Sequence, residues 1–443
     1  MFWTIKAVVL GVALAAIPAA ALAEDLGALA LEDVIRIGME RSPQVKAADE
    51  GVTVEAESEN VARGERWFRV DAQAAATRYR YDSPLTPISG IPGPGSTFPD
   101  FANPVYDAVL SFSFPLYRGG RLERNVAIAG LRRDVAENMA VLAREELKFN
   151  LTSVYYKILQ LQRSRVSGES TVKQLDAHYR DTGLFVKSGA AARLDLLKTD
   201  AELKRAQHNL ISIENGISAT METLRALMGM DDSITFTLKE AEGEFTQAPG
   251  FEEALGKALA ARPEISAARS RGRILEEKAE ATWGKHLPSV TVTADYGGRA
   301  ADDGKFNENW TASLKMAAPV FDAGMTSAEV ARDRAELMRA REELRGLELN
   351  VRREVKEASL MMDTSGKKVE VARAAVQSAA EALSVENLKY AAGAGSTRDV
   401  LDASATLSRA EAEYHQAIYE KNVAGAMLEK AMGGGLDATG GSR

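Results

Sequence analysis

The residue types that most often carry chemistry are present in this chain but scattered. His178, His208, His286 and His415 stand far apart in helical or pre-strand stretches, none in an HExxH or comparable ligand spacing. A solvated helix face is the expected place for each, and no metal site is assigned. There is no cysteine, which removes a disulfide framework, a thiolate metal site and a Cys-linked lipid anchor. Asp and Glu abound on helix faces without a pair that stands out as an acid/base couple. Gly433-Gly434-Gly435 ends a helix and runs into a polar tail, unlike a phosphate loop. Neither catalysis nor a cofactor is expected. What remains is a set of carboxylates at two reversals of the chain: Asp399 and Asp402 in Tyr390 to Ala403 (YAAGAGSTRDVLDA), and Asp195 in Val186 to Thr199 (VKSGAAARLDLLKT). At Asp195 and Asp399 a carboxylate favours the start of a helix through capping and the helix dipole. Asp402 sits too far into the helix for that.

The two reversals are equivalent. Gly189 matches Gly393, Asp195 matches Asp399 and Leu197 matches Leu401, each pair 204 residues apart. The glycines serve tight turns, where positive φ is easiest. The match extends over the chain. Leu31 to Ala74 aligns without gaps to Phe251 to Ala294 at an offset of 220, with Pro43/Pro263, Val45/Ile265, Gly64/Gly284 and Val70/Val290. From Pro115 onward the offset is 204, with Pro115/Pro319, Gly120/Gly324 and Met228-Gly229/Met432-Gly433. The copies differ by one 16-residue insertion, placed in the Pro- and Gly-rich segment Asp82 to Pro104, as expected for an exposed loop.

Each unit opens with a helical pattern broken at Ser42-Pro43 or Arg262-Pro263, because proline removes a donor and restricts the residue before it. A strand hairpin follows, about 67–117 in the first unit and 287–321 in the second. Val290, Val292, Ala294 and Tyr296 alternate with polar residues, as do Trp310, Ala312, Leu314 and Met316, and in the first copy Tyr106, Leu110, Phe112, Phe114 and Leu116. One apolar face with aromatics and one polar face is the pattern of lipid-facing and lumen-facing positions. It is also the pattern of a hairpin covering a soluble core. Four strands cannot enclose a lumen, and lipid does not tolerate an open edge, so a membrane reading needs several chains for one barrel.

Gly120 and Gly324 mark the strand-to-helix bend. Beyond each, about 69 residues are helical, on the order of 100 Å if continuous. In the return helix Ala403, Ala410, Ala417, Ala424 and Ala431 recur every seven residues, and Leu337, Leu344, Val351 and Ala358 do so in the outgoing one. These series specify closely approaching coiled-coil helices. Between the units, 231–250 forms a linker or small side domain with a strand-like run, Ile234 to Leu238. The fold expected is mainly α with a small β part, organised as 24–230, 231–250 and 251–433.

At the ends, Lys6, the apolar run Ala7 to Ile17 and Ala21-Leu22-Ala23 form a secretory signal peptide, 1–23, and 434–443 form a flexible tail. The net charge of −8 and the lack of Lys/Arg blocks speak against nucleic-acid binding.

With its tandem repeat of helix, strand pair and long helical hairpin, and the tip motif Gly393 to Asp399-Val400-Leu401-Asp402-Ala403, the mature chain resembles the TolC family of outer-membrane efflux proteins. The resemblance implies a homotrimer in the outer membrane, with four strands from each of three chains in one twelve-stranded barrel and a helical tunnel through the periplasm. It implies a passive duct of a tripartite efflux or type I secretion system, joined by a periplasmic adaptor to an inner-membrane RND or ABC transporter. Phe112, Phe114, Val290, Val292, Trp310 and Leu314 would face outer-membrane lipid. Asp402, Asp399, Asp195 and Tyr390 would form the constriction, where a ring of carboxylates concentrates negative potential and binds cations. Gly189, Gly393 and Arg398 would lie at the tips that meet the adaptor. Gly395 stands where members often carry a basic residue, so an Arg-to-carboxylate latch from that position is not expected. The competing reading is a soluble periplasmic coiled-coil scaffold or adaptor, in which the same aromatic residues face a protein core.

Overall fold

The computed structural model describes residues 25–87, 98–231, 233–240 and 249–434; the expected signal peptide and nearly all of the tail lie outside the described residues. The first unit contains β1 (Asp25–Leu29), α1 (Leu31–Arg41), α2 (Pro43–Gly64), β2 (Arg69–Thr77), the two-residue strands β3 (Ser83–Pro84) and β4 (Phe101–Ala102), β5 (Val105–Arg118), α3 (Arg121–Lys187) and α4 (Arg193–Met228). After β6 (Thr235–Leu238), the second contains α5 (Phe251–Ala261), α6 (Pro263–Trp283), a 3-10 turn at Gly284–His286, β7 (Ser289–Ala300), β8 (Phe306–Ala317), α7 (Met325–Ala391) and α8 (Thr397–Ala431).

Local chemistry sets these boundaries. Pro43 and Pro263 each occupy the first position of a helix, where a missing N–H costs nothing. Gly120 (φ +73°) and Gly324 (φ +80°) precede the two 67-residue helices α3 and α7, each about 100 Å long. Their left-handed conformation turns the chain out of the sheet into the helix.

The main sheet has the order β2-β5-β7-β8, antiparallel throughout. The two hairpins share one register: Val70 pairs with Phe112, and their repeat equivalents Val290 and Met316 also pair. The β5–β7 seam, where the two units meet, carries a bulge between Pro115 and Tyr117. Among the described residues, β2 and β8 are left as open edges.

The core lies around the middle of the helices in two clusters. Val34, Val45, Leu147, Leu151, Tyr155 and Leu224 form the first; Ala254, Ile265, Val351, Val355 and Leu428 form the second at matching positions. Each large apolar side chain buried there contributes about 1.5–3 kcal/mol. On α8, Ala410, Ala417, Ala424 and Ala431 are all buried, which lets α7 approach closely. α3 packs against α2, α4, α6 and α8, and so joins the two units. The strand-like run at 234–238 does form a strand, β6, paired in parallel with β1. The sequence reading, which opened the first unit, 24–230, with the helical pattern from Leu31, missed β1.

Candidate functional site

At each helical tip a glycine turns the chain, Gly189 with φ +80° and Gly393 with φ +73°. The turns close alike, with Ala190 N–H donating to the Phe185 carbonyl and Ala394 N–H to that of Lys389. Beyond the turn the copies diverge. Ser396 caps α8: its hydroxyl accepts from Asp399 N–H at 3.2 Å, while the Asp399 carboxylate accepts from the Ser396 hydroxyl at 2.7 Å and its N–H at 3.3 Å. These bonds from Ser396 hold the Asp399 carboxyl below its ordinary range. In the first copy Ala192 takes the cap position without a side-chain bond, so Asp195, in the first turn, is left with the dipole interaction. Asp402 is exposed one turn further on, its Oδ2 3.7 Å from Arg398 Nε on the same helix. Arg398, Asp399 and Asp402 thus lie in the first turns of α8 and Asp195 in the first turn of α4, and Asp402 takes no part in the α8 cap.

Tyr390 lies between the two hairpins, its hydroxyl 3.1 Å from Thr182 Oγ1 on α3 and 3.5 Å from Thr397 Oγ1 on α8. His178 and Phe185 meet its ring edge-on, with centroids at 4.8 and 5.6 Å. Thr182, Thr397 and His178 are buried. Two histidines depart from the solvated faces expected of them. Burial pushes the His178 imidazole below its ordinary value, Asp181 partly opposing, and does the same to His415, helped by Arg163. His415 Nε2 lies 3.0 Å from Ser167 Oγ across the two hairpins. The packing of α8 on α3 turns both rings inward, whereas His208 and His286 are exposed. The spacing of His178 and Thr182, four residues apart on one helix face, was the available sequence signal for this inward stripe.

At the other end, the sheet carries its apolar residues in continuous cross-strand rows. Phe114, Val292 and Leu314 form one row; Val70, Phe112, Ala294 and Ala312 another; Ala72, Leu110, Tyr296 and Trp310 a third. All six residues expected to meet lipid share this face. Trp310 is 71% exposed and Leu314 67%, and the substantial contacts of these strands are with one another. From Val290 to Tyr296 the face spans about 20 Å, near the roughly 25 Å apolar band of outer-membrane barrels. Exposed Tyr296, Trp310 and Phe306 stand toward the loop end; Trp67, Phe68, Tyr117 and Phe321 stand toward the helices. The opposite face is polar, with Asp107 bound to Arg299 at 2.7 Å, Thr293 to Ser313 at 2.9 Å and Asp295 to Thr311 at 3.2 Å.

The sequence profile of a family described as outer membrane efflux protein matches residues 35–230 and 254–434. The chain belongs to that family. Among relatives of this outer membrane efflux protein, Nodulation protein T of Rhizobium leguminosarum bv. trifolii is 22% identical over 331 residues, 72% of this chain and 69% of the relative. Outer membrane protein TolC of Escherichia coli (strain K12) is 23% identical over 310 residues, 66% of this chain and 62% of TolC, so the match spans a little under two thirds of that relative. The structure of outer membrane protein VceC from Vibrio cholerae superposes with a TM-score of 0.76 at 20% identity, covering 91% of this chain and 96% of VceC. That likeness is one of fold. Among the described residues of the efflux protein, no helix is long and apolar enough to cross a membrane, and no His/Cys/Asp/Glu group is set to hold a metal.

Proposed function

We propose that three copies of this chain close their sheets into one outer-membrane barrel and continue as a helical tunnel through the periplasm, a passive export duct. An inner-membrane RND or ABC transporter supplies the energy, and a periplasmic adaptor meets the helical tips around Gly189, Gly393 and Arg398. The observation that carries this reading is the four-stranded sheet itself, whose apolar rows are uncovered and whose two edge strands are unpaired among the described residues. A scaffold would cover that face with its own helices; lipid and neighbouring strands suit it better. At the far end Asp402, exposed and free of the cap, narrows the opening with negative charge, with Asp399 and Asp195 beside it.

The test is conductance of the purified mature protein in planar bilayers, wild type against Asp402→Ala. Small cation-selective openings that enlarge or lose cation block in the variant support the duct and the constriction. Unchanged openings keep the duct and remove Asp402 from the constriction. A well-folded, detergent-free soluble protein without conductance overturns the duct in favour of the scaffold.

A further inference from the structure

The 16-residue insertion that distinguishes the first unit from the second lies in the connection between β2 and β5. Its described ends, 78–87 and 98–104, form a strap that folds back over the polar face of the sheet. β3 and β4 pair with each other, and Leu85 N–H donates to the Asp100 carbonyl at 2.8 Å. The Asn103 side chain holds Tyr79 twice, accepting from its N–H at 3.0 Å and donating to its carbonyl at 2.7 Å. Leu85 is buried. One side chain then fixes the strap to the wall: Arg299 Nη1 donates to the Pro84 carbonyl at 3.1 Å, while its Nε donates to Asp107 at 2.7 Å.

We propose that this strap is a second constriction of the conduit, at its outer mouth, and that Arg299 positions it and so sets the largest solute the mouth passes. This rests on the export duct, which makes the polar face the conduit wall and the loop end of the sheet the outside.

Three observations place the strap over the opening. Asp107 and Arg299 are directly opposed on β5 and β7, in the polar row nearest the loop end. A carbonyl bound from that face lies on the conduit side, away from the apolar rows. The strap also stands off the wall: a cleft of about 400 Å³ lies between 84–87 and the polar positions Gly297, Asn309 and Thr311. It therefore overhangs the rows beneath its anchor instead of lying flat on them. The second unit supplies no counterpart. β7 and β8 join through 301–305, where Gly304 N–H closes on the Ala301 carbonyl at 3.0 Å. An assembly of three chains thus carries one strap per chain, evenly spaced around the mouth.

A guanidinium suits this anchoring. Its planar fork lets one side chain hold a carboxylate and a carbonyl at once, in a geometry that an ammonium does not offer. The carboxylate of Asp107 orients the fork, and the remaining N–H groups reach the strap.

The chain's lack of cysteine lets single thiols report on the mouth. Asp303→Cys lies in the β7–β8 turn, outside the strap. Ser313→Cys lies on the polar face three rows below Arg299, a depth of about 20 Å. Intact cells carrying the full-length protein are treated from outside with membrane-impermeant polyethylene glycol maleimides of increasing chain length. The readout is the longest chain that reaches each thiol. Asp303→Cys should react with every length and Ser313→Cys only with the shorter ones. Arg299→Met should raise the length limit at Ser313→Cys and leave Asp303→Cys unchanged. A purely structural role for Arg299 would lower the amount of protein reported by Asp303→Cys without moving the limit at Ser313→Cys. Removing 16 residues from 82–104, to the length of the second unit's turn, should raise the limit as well while keeping Arg299 and Asp107. A limit unchanged in both variants, or no limit under the intact strap, overturns the constriction and leaves the duct standing. A limit raised by the shortened strap but not by Arg299→Met overturns Arg299 as the positioning residue. Folded protein whose Asp303→Cys reacts with no reagent from outside overturns the duct itself.

Discussion

The Tyr390 hydroxyl lies 3.1 Å from Thr182 Oγ1, so a residue near the end of α7 ties the second hairpin to α3 of the first. Thr182 is fully buried, and removing its partner leaves a polar group with less to bond. Tyr390→Phe should cost about 1 kcal/mol of coupling between the hairpins and raise conductance by loosening the tip. Thr182→Val should do the same, and the double variant should be no worse than either alone. Strictly additive losses would show that the two hydroxyls act independently.

The carboxylates at the second tip should separate into capping and pore roles. Ser396→Ala removes the cap of α8 and should cost about 1 kcal/mol, seen as faster amide exchange over Thr397 to Leu401. Asp399→Ala should accelerate the same amides, because its carboxylate closes the other half of the box. Asp402→Ala should leave that exchange unchanged while altering cation block. If all three variants change exchange alike, Asp402 belongs to the helix start rather than to the opening.

Acid should loosen the tip. Burial holds the His178 imidazole below its ordinary 6.5, so the native tip keeps it neutral after the opened chain would have taken a proton. The stability it contributes is present above pH 6.5, declines as the pH falls, and is lost once the pH passes below the native value. His415 has the same sign. Limited proteolysis of the tips should therefore quicken as the pH falls from neutrality through 6.5. His178→Phe should flatten that dependence, with His415→Phe removing more of it. A wild-type rate constant over this range would exclude both rings as the cause.

Much of the architecture follows from residue type and spacing. Pro43 and Pro263 place helix starts, Gly189 and Gly393 place reversals, the alanines of α8 place a buried seam, and Phe114, Val292 and Leu314 declare one sheet face by alternation. What was hidden depends on contacts distant in sequence. β1 has five residues, a glycine at φ +69° and a register shift, and its partner Thr235–Leu238 lies in the linker. Too few residues alternate in Asp25–Leu29 to signal a strand. The bond of Tyr390 to Thr182 was hidden because it depends on the packing of the second hairpin on α3, which the neighbours of Tyr390 in sequence do not reveal. The difference between Ser396 and Ala192 was visible, but its consequence for Asp399 and Asp195 required the cap geometry.

The two faces of the sheet should respond oppositely to charge. Leu314 and Ser313 are adjacent on β8 and point to opposite sides, Leu314 in the row with Val292 and Ser313 bonded to Thr293. An arginine on the lipid side of a barrel costs about 2–4 kcal/mol near the midplane and less toward the interfaces, whereas a polar lumen solvates it. Leu314→Arg should reduce the yield of trimers in outer-membrane fractions. Ser313→Arg should assemble normally and shift ion selectivity toward anions, because it adds positive charge inside the conduit. Conductance of the assembled variants checks both expectations on the same preparation. If Ser313→Arg prevented assembly and Leu314→Arg were tolerated, the faces would be reversed, and the apolar rows would have to cover something other than lipid.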